Sequence, residues 1–294
     1  MSKSQVYKYS YFQGEKIIET DEGKFLVIPR CNDKEKIFNY LEQRDFPFFL
    51  PMNNSTRDEY EIYPYVVDNM DNSDKAIDLI HILSLLHIKT TSYQEVVLDR
   101  IKEIYEQLSF KIEDQIKYYQ KLQDEIESHV YMAPDEYLLI RNISLVYENL
   151  NFSKHYLEEW YRLKKESGKE RVVFLHRQPA LDNFIDIKTP YFIHWDLSEK
   201  GYPIYDFLYF FKRHYQELEM DSLFKIYQSK FQFTNDEMCL FFSLLLCDDK
   251  IELLDNPYQS TISVEHKILY ALRSKEFILK QNHKNQETDE SKFD

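Results

Sequence analysis

Glycine is nearly missing from this chain: four in 294 residues, at positions 14, 23, 168 and 201. Glycine has no Cβ and lets a backbone close around a phosphate, so a glycine-rich phosphate loop has almost no raw material here. Cysteine is scarce as well. Cys31, Cys239 and Cys247 show no C-x-x-C spacing, which speaks against a disulfide framework or a zinc knuckle and leads us to expect the reducing cytoplasm. Basic residues are outnumbered, 37 Lys and Arg against 51 Asp and Glu. The net charge of −14 argues against nucleic acid and against an anionic membrane as partners. The longest strongly apolar run, Met238–Cys247, is too short to cross a bilayer. The opening MSKSQVYKYS lacks the apolar core of a signal peptide. No G-x-S-x-G, H-E-x-x-H or Walker-type motif occurs.

Aromatic residues are plentiful instead, 24 Tyr and 21 Phe, and are expected to fill an aromatic-rich core. Residues 5–30 alternate in the manner of strands, with Tyr7, Tyr9 and Tyr11 on one face and turns at Gly14 and Gly23. Asn32 and Asp33 are placed to cap a helix running to Arg44, and a further strand is predicted over 59–67. From Asn69 the pattern turns helical. We predict an amphipathic helix over 73–87, two stretches covering 94–129, a long helix after Pro134 ending at Gly168, and a last helix over about 264–280. Thr234 to Glu237 reads as a capping box. The final QNHKNQETDESKFD lacks apolar content, so 281–294 is expected to be a disordered tail.

The informative stretch is RVVFLHRQPALDNFIDIKTPYFIHWDLSEKGYPIYDFLYFF, residues 171–211. A strand leads into His176, Asn183 follows seven residues later, a short hairpin comes next, and Trp195-Asp196 and Pro203-Ile204-Tyr205-Asp206 close the run. This resembles the catalytic half of the aminoglycoside phosphotransferase and choline kinase-like family, with its H-G-D-x-x-x-x-N, I-D-W-[DE] and downstream Asp-hydrophobic pair. The resemblance implies an α+β, two-lobed protein-kinase-like fold. A β-rich N-lobe would span 1–68 with its hinge at Tyr63–Asp68, and a helical C-lobe 69–280 would carry the catalytic-loop hairpin at 171–196.

Against that pattern several parts are missing. Gln178 stands at the position of the catalytic base, and an amide has no useful basicity. Asn183 matches the metal-binding Asn. His176 matches the structural His of the loop, and Asp206 matches the Asp that buttresses it. Asp182 reads as a turn residue. With Ile193-His194-Trp195-Asp196 set against I-D-W-D, His194 takes the metal position, a poor ligand for magnesium. A second register, 13 residues from Asn183 instead of 11, would put Asp196 there. The strand KFLVIPR has Lys24 and Arg30 only at its ends, neither placed for a nucleotide phosphate. Without that lysine, Glu35 and Glu42 read as solvated helix charges. His81 and His87 read as packing residues, Cys239 and Cys247 as buried thiols.

Within the superfamily, the W-D…G-Y-P-I-Y-D-F-L-Y-F-F run is similar to the CotS-type spore-coat branch, particularly its YutH-like members. The expectation is therefore a pseudokinase with no cofactor, acting through protein partners, including spore coat proteins, in the cytoplasm or the coat. The alternative is an active small-molecule phosphotransferase using ATP and Mg²⁺ with Asn183 and Asp196 or Asp182. A third reading keeps the cleft as a sensor that binds a nucleotide or metabolite without turnover.

Overall fold

The computed structural model describes residues 6–12, 15–21, 23–29, 34–49, 60–64, 71–185 and 189–290. Gly14, Arg30, Cys31, Asn32, Asp33 and residues 65–68 of the expected hinge lie outside these. In chain order the first elements are β1 (Val6–Phe12), β2 (Glu15–Thr20), β3 (Gly23–Pro29), α1 (Lys34–Glu42), β4 (Tyr60–Pro64) and α2 (Asn72–Thr90). Then come β5 (Ser92–Glu95), α3 (Leu98–Glu127), α4 (Pro134–Glu166), β6 (Lys169–Leu175), β7 (Phe184–Ile185), β8 (Tyr191–Phe192) and β9 (Glu199–Gly201). The remaining helices are α5 (Ile204–His214), α6 (Met220–Lys230), α7 (Asn235–Leu246) and α8 (Pro257–Glu290). They group into two compact units. One comprises Met1–Thr91, Val173–Gly201 and Ile226–Phe231; the other comprises Ser92–Val172, Tyr202–Lys225 and Gln232–Asp294.

In the first unit, β1 to β4 form an antiparallel sheet in sequence order. Gly23 turns β2 into β3 at φ +133, a conformation that side chains with a Cβ rarely adopt. Buried Phe38 and Leu41 give α1 its inner stripe, and Phe38 stacks on Phe49 at 4.5 Å. Asp71 caps α2 by accepting from the Ser73 N–H at 3.0 Å, which supplies a partner for one of the unpaired donors of the first turn. Ala76, Leu79, Ile80, Leu83 and Leu86 then recur at helical spacing and are all buried. The helix ends where Thr90 and Thr91 fold their hydroxyls back onto the Leu86 and His87 carbonyls, each at 2.7 Å.

The second unit is helical, with α4 packed against α3, α7 and α8. Its interior answers the question of the aromatic surplus. Phe207, Phe224, Phe233, Phe241 and Phe277 are buried against one another, with ring centroids 4.9 to 6.2 Å apart.

Three segments differ from the sequence reading. Residues 92–95 are a strand: SYQE shows no apolar alternation, and only its pairing with Lys169–Val172 makes it one. Residues 98–127 form one helix instead of two stretches. The last helix starts at Pro257 and continues past Lys280. There Gln281 donates to Asp221 at 2.9 Å and Asn282 to the Tyr156 hydroxyl at 2.8 Å, so polar contacts anchor residues whose composition suggested a loose tail. Among the described residues, no helix is long and apolar enough to cross a membrane.

Candidate functional site

The loop from β6 to β9 lies wholly within the first unit and is built on backbone hydrogen bonds. Strand β6 delivers His176, which is fully buried. Its Nε2 donates to the Ile193 carbonyl at 2.8 Å, and its ring lies 4.7 Å from both Phe192 and Trp195. Arg177 follows at φ 73, and Leu181–Asn183 makes a 3-10 turn closed by the Asn183 N–H on the Ala180 carbonyl at 2.9 Å. Strands β7 and β8 pair Phe184 with Phe192 and Ile185 with Tyr191. The ladder extends one step further, since the Ile193 N–H donates to the Asn183 carbonyl at 3.0 Å. His194 comes next, in the left-handed region at φ 61 and ψ 61, followed by the 3-10 turn Trp195–Leu197. The rings of Phe46, Phe174 and Phe192 around Trp195 and its Nε1 donation to the Phe192 carbonyl at 3.1 Å pin that turn.

Each predicted residue has a place in this frame. The Gln178 main-chain carbonyl accepts the Asn183 Nδ2–H at 2.9 Å, so the two meet through backbone and amide. Asn183 stands opposite Ile193, which makes His194 the residue directly beyond the pair. Asp196 lies two residues further on, exposed in its turn, and Asp182 is half-buried in the other turn. Asp206 is in the second unit, fully buried in the first turn of α5, where unpaired helix N–H groups favour a carboxylate. Lys24 is exposed at the start of β3, opposite Glu19. Glu35 and Glu42 are both exposed on α1. His87 is buried, with Nδ1 2.5 Å from the Tyr227 hydroxyl. Burial lowers the His81 pKa, with Lys230 adding to the effect. Cys247 is buried as expected but Cys239 only half-buried, and burial pushes both thiols up to about 11.

The sequence reading passed over Arg177. It occupies the middle of the H-G-D pattern, where glycine would take positive φ freely; a residue with a Cβ is strained there by about 1 kcal/mol. Arg177 also sets its Nε 3.3 Å from Glu199. A second omission lies in the helical unit. Lys164 is buried against Asp236 at 2.6 Å, and Arg171 forks onto Glu237, with Nε to Oε1 at 3.0 Å. Glu170, also buried, accepts from Gln94 at 2.7 Å and from the Tyr202 hydroxyl. Burial, then the hydrogen bond to Glu170, raises the Tyr202 pKa and keeps it a donor. Burial acts to raise the Asp236 pKa, but hydrogen bonds from Lys164 and Thr234 hold it below the ordinary value. Charged residues on an amphipathic helix or at the start of a strand read as solvent-facing, and only the packing shows Lys164, Glu170 and Glu237 to be buried and Arg171 and Asp236 half-buried.

No protein-family model matches the sequence, and no curated protein matches it. Solved structures do match. An aminoglycoside phosphotransferase from Alicyclobacillus acidocaldarius superimposes at a TM-score of 0.70 with 10% identity, covering 96% of this chain and 93% of the other. A spectinomycin phosphotransferase in its AMP-bound complex gives 0.53 and 10%, covering 94% and 89%. A glucosamine kinase gives 0.52 and 7%, covering 94% and 75%. Identities this low speak for fold alone, and the fold agrees with the small β-rich start and mostly helical remainder seen here. The chain is an α+β protein with a kinase-like fold, similar to that of the aminoglycoside phosphotransferases.

Proposed function

We propose that the chain is a kinase-like protein that has lost phosphoryl transfer and works by binding other proteins. The observation that carries this reading is the pair of residues framing Asn183: Gln178 at the base position and His194 directly beyond the β7–β8 pair. Phosphoryl transfer needs a carboxylate near the attacking hydroxyl and oxygen ligands for its metal. An amide cannot take the proton, and imidazole nitrogen does not suit magnesium, a hard ion that prefers oxygen. The donor set of Asn183 and His194 therefore does not fit a magnesium–nucleotide site. Four glycines and a β3 strand with lysine only at its edge support the same reading. Losses of this kind compound, because positioning and charge neutralisation act together.

The similarity of residues 195–211 to the spore-coat branch directs the interaction role to assembly of the bacterial endospore coat. The test is catalytic. Purified protein with ATP, Mg²⁺ and hydroxyl acceptors such as an aminoglycoside or choline should show no transfer above a heat-treated control. Turnover abolished by Asn183→Ala would defeat the proposal. A rise in melting temperature with ATP and Mg²⁺, in the absence of turnover, would turn the reading toward a nucleotide sensor.

A further inference from the structure

Asn149 of α4 and Tyr119 of α3 are 3% and 2% exposed, and each has a polar function with no partner among the described residues. Asn149 donates its Nδ2–H to the Ala271 carbonyl of α8 at 2.8 Å, while its buried Oδ1 accepts from nothing. A flipped amide would set Oδ1 against that carbonyl, so the bond itself fixes which atom is the oxygen. The Tyr119 oxygen accepts from the Ile251 N–H at 2.8 Å, which leaves the hydroxyl hydrogen in need of an acceptor. Burial raises the Tyr119 pKa, so that hydrogen stays in place at neutral pH. Enclosed polar groups are costly to leave unmatched.

Both residues line one cavity of about 30 Å³, which lies wholly in the second unit. That is room for a water molecule and little more. The other polar side chains around it have partners already. Gln115 Nε2 donates to the Asp248 carbonyl at 2.6 Å, and the Tyr270 hydroxyl to the Leu245 carbonyl at 3.1 Å. Lys212 and Lys267 hold the Asp248 carboxylate at 2.8 and 2.7 Å. What remains is a donor, the Tyr119 hydroxyl, and an acceptor, Asn149 Oδ1. A metal cation cannot accept from a hydroxyl, and a bare anion cannot donate to an amide oxygen; water does both. We propose that this cavity is a binding site for a water molecule that accepts from the Tyr119 hydroxyl and donates to Asn149 Oδ1. The exposed Asp249 is among the lining residues, so solvent has a way in. The water ties α3 to α4, while Ile251 and Ala271 attach the same two side chains to the segment after α7 and to α8. The site is independent of whether the loop transfers phosphate.

X-ray footprinting of the full chain tests this in solution, because radiolysis oxidises a buried ring only where a water stands beside it. Tyr227, at 0% exposure, is the reference. Tyr119 should be oxidised about tenfold faster than Tyr227. Asn149→Leu keeps the volume and takes away the acceptor, so it should bring Tyr119 down toward the Tyr227 rate, with circular dichroism showing that the variant is folded. A crystal structure of the unaltered protein gives a second measure that needs no variant: density for a water within hydrogen-bond distance of both the Tyr119 oxygen and Asn149 Oδ1. Tyr119 oxidised no faster than Tyr227 would overturn the proposal. So would a folded Asn149→Leu protein that leaves the Tyr119 rate unchanged, or a crystal in which no water reaches both atoms.

Discussion

The loop between β6 and β9 and the junction of α4, β6 and α7 both bury polar groups, in opposite ways. In the loop a single imidazole, His176, is held on a backbone carbonyl inside a cage of Phe192 and Trp195. At the junction, Lys164 and Arg171 are enclosed with Asp236 and Glu237 as matched pairs. The loop's charged residues, Arg177, Asp182 and Asp196 among them, are half-buried or exposed. Those of the junction are each committed to a protein partner. Charge at the junction is thus paired within the fold, and the loop's shape is held by aromatic packing and backbone pairing.

That contrast can be broken at either end. The largest effect is expected from Trp195→Ala, which opens a cavity among Phe46, Phe174, Phe192 and His176. It should cost about 4 kcal/mol in urea unfolding; a loss below about 1 kcal/mol would show that aromatic packing does not hold the loop. Glu237→Ala should cost about 3 kcal/mol, because the half-buried Arg171 loses its carboxylate and the Thr234 N–H loses its cap. Replacing Arg171 and Glu237 together by apolar residues should cost less than the single change, and the reverse order would count against the junction as an ion-pair device.

Acid sharpens the difference further. Burial acts to raise the Asp248 pKa, but the charges and hydrogen bonds of Lys212 and Lys267 hold it low, as Lys164 and Thr234 do for Asp236. Depressed folded values mean that both carboxylates stabilise the fold fully above the unfolded pKa and lose that contribution as pH falls through the folded ones. Urea midpoints should thus hold from these groups down to about pH 4 and drop below it. Lys164→Met should make the drop smaller, because Asp236 then loses the partner that holds its folded value below the unfolded one. The smallest effect is expected from Arg177→Gly. It relieves the positive φ but frees the unfolded chain and removes the contact with Glu199, so stability should change by less than about 0.5 kcal/mol.

Much of the fold was readable because its punctuation is conventional. Pro134 opens α4, Thr234 and Glu237 box the start of α7 with the Thr234 N–H on the Glu237 carboxylate at 3.0 Å, and apolar spacing marks α2. Strand β5 was invisible because SYQE draws its identity from a partner some eighty residues away. At the site, the residue types were legible but their neighbours were not. Counting from Asn183 leaves His194 and Asp196 both open, and the pairing of β7 with β8 adds that Asn183 stands opposite Ile193. Arg177 could have been noticed as the residue standing for glycine in H-G-D.

The elevated thiol pKa values of Cys239 and Cys247 have a practical corollary. Both thiols are therefore little ionised at neutral pH, but only Cys247 is buried, Cys239 being half-buried. Maleimide uptake at Cys247, resolved by peptide mass against that at Cys239, then serves as a clock for the loosening of the C-terminal end of α7.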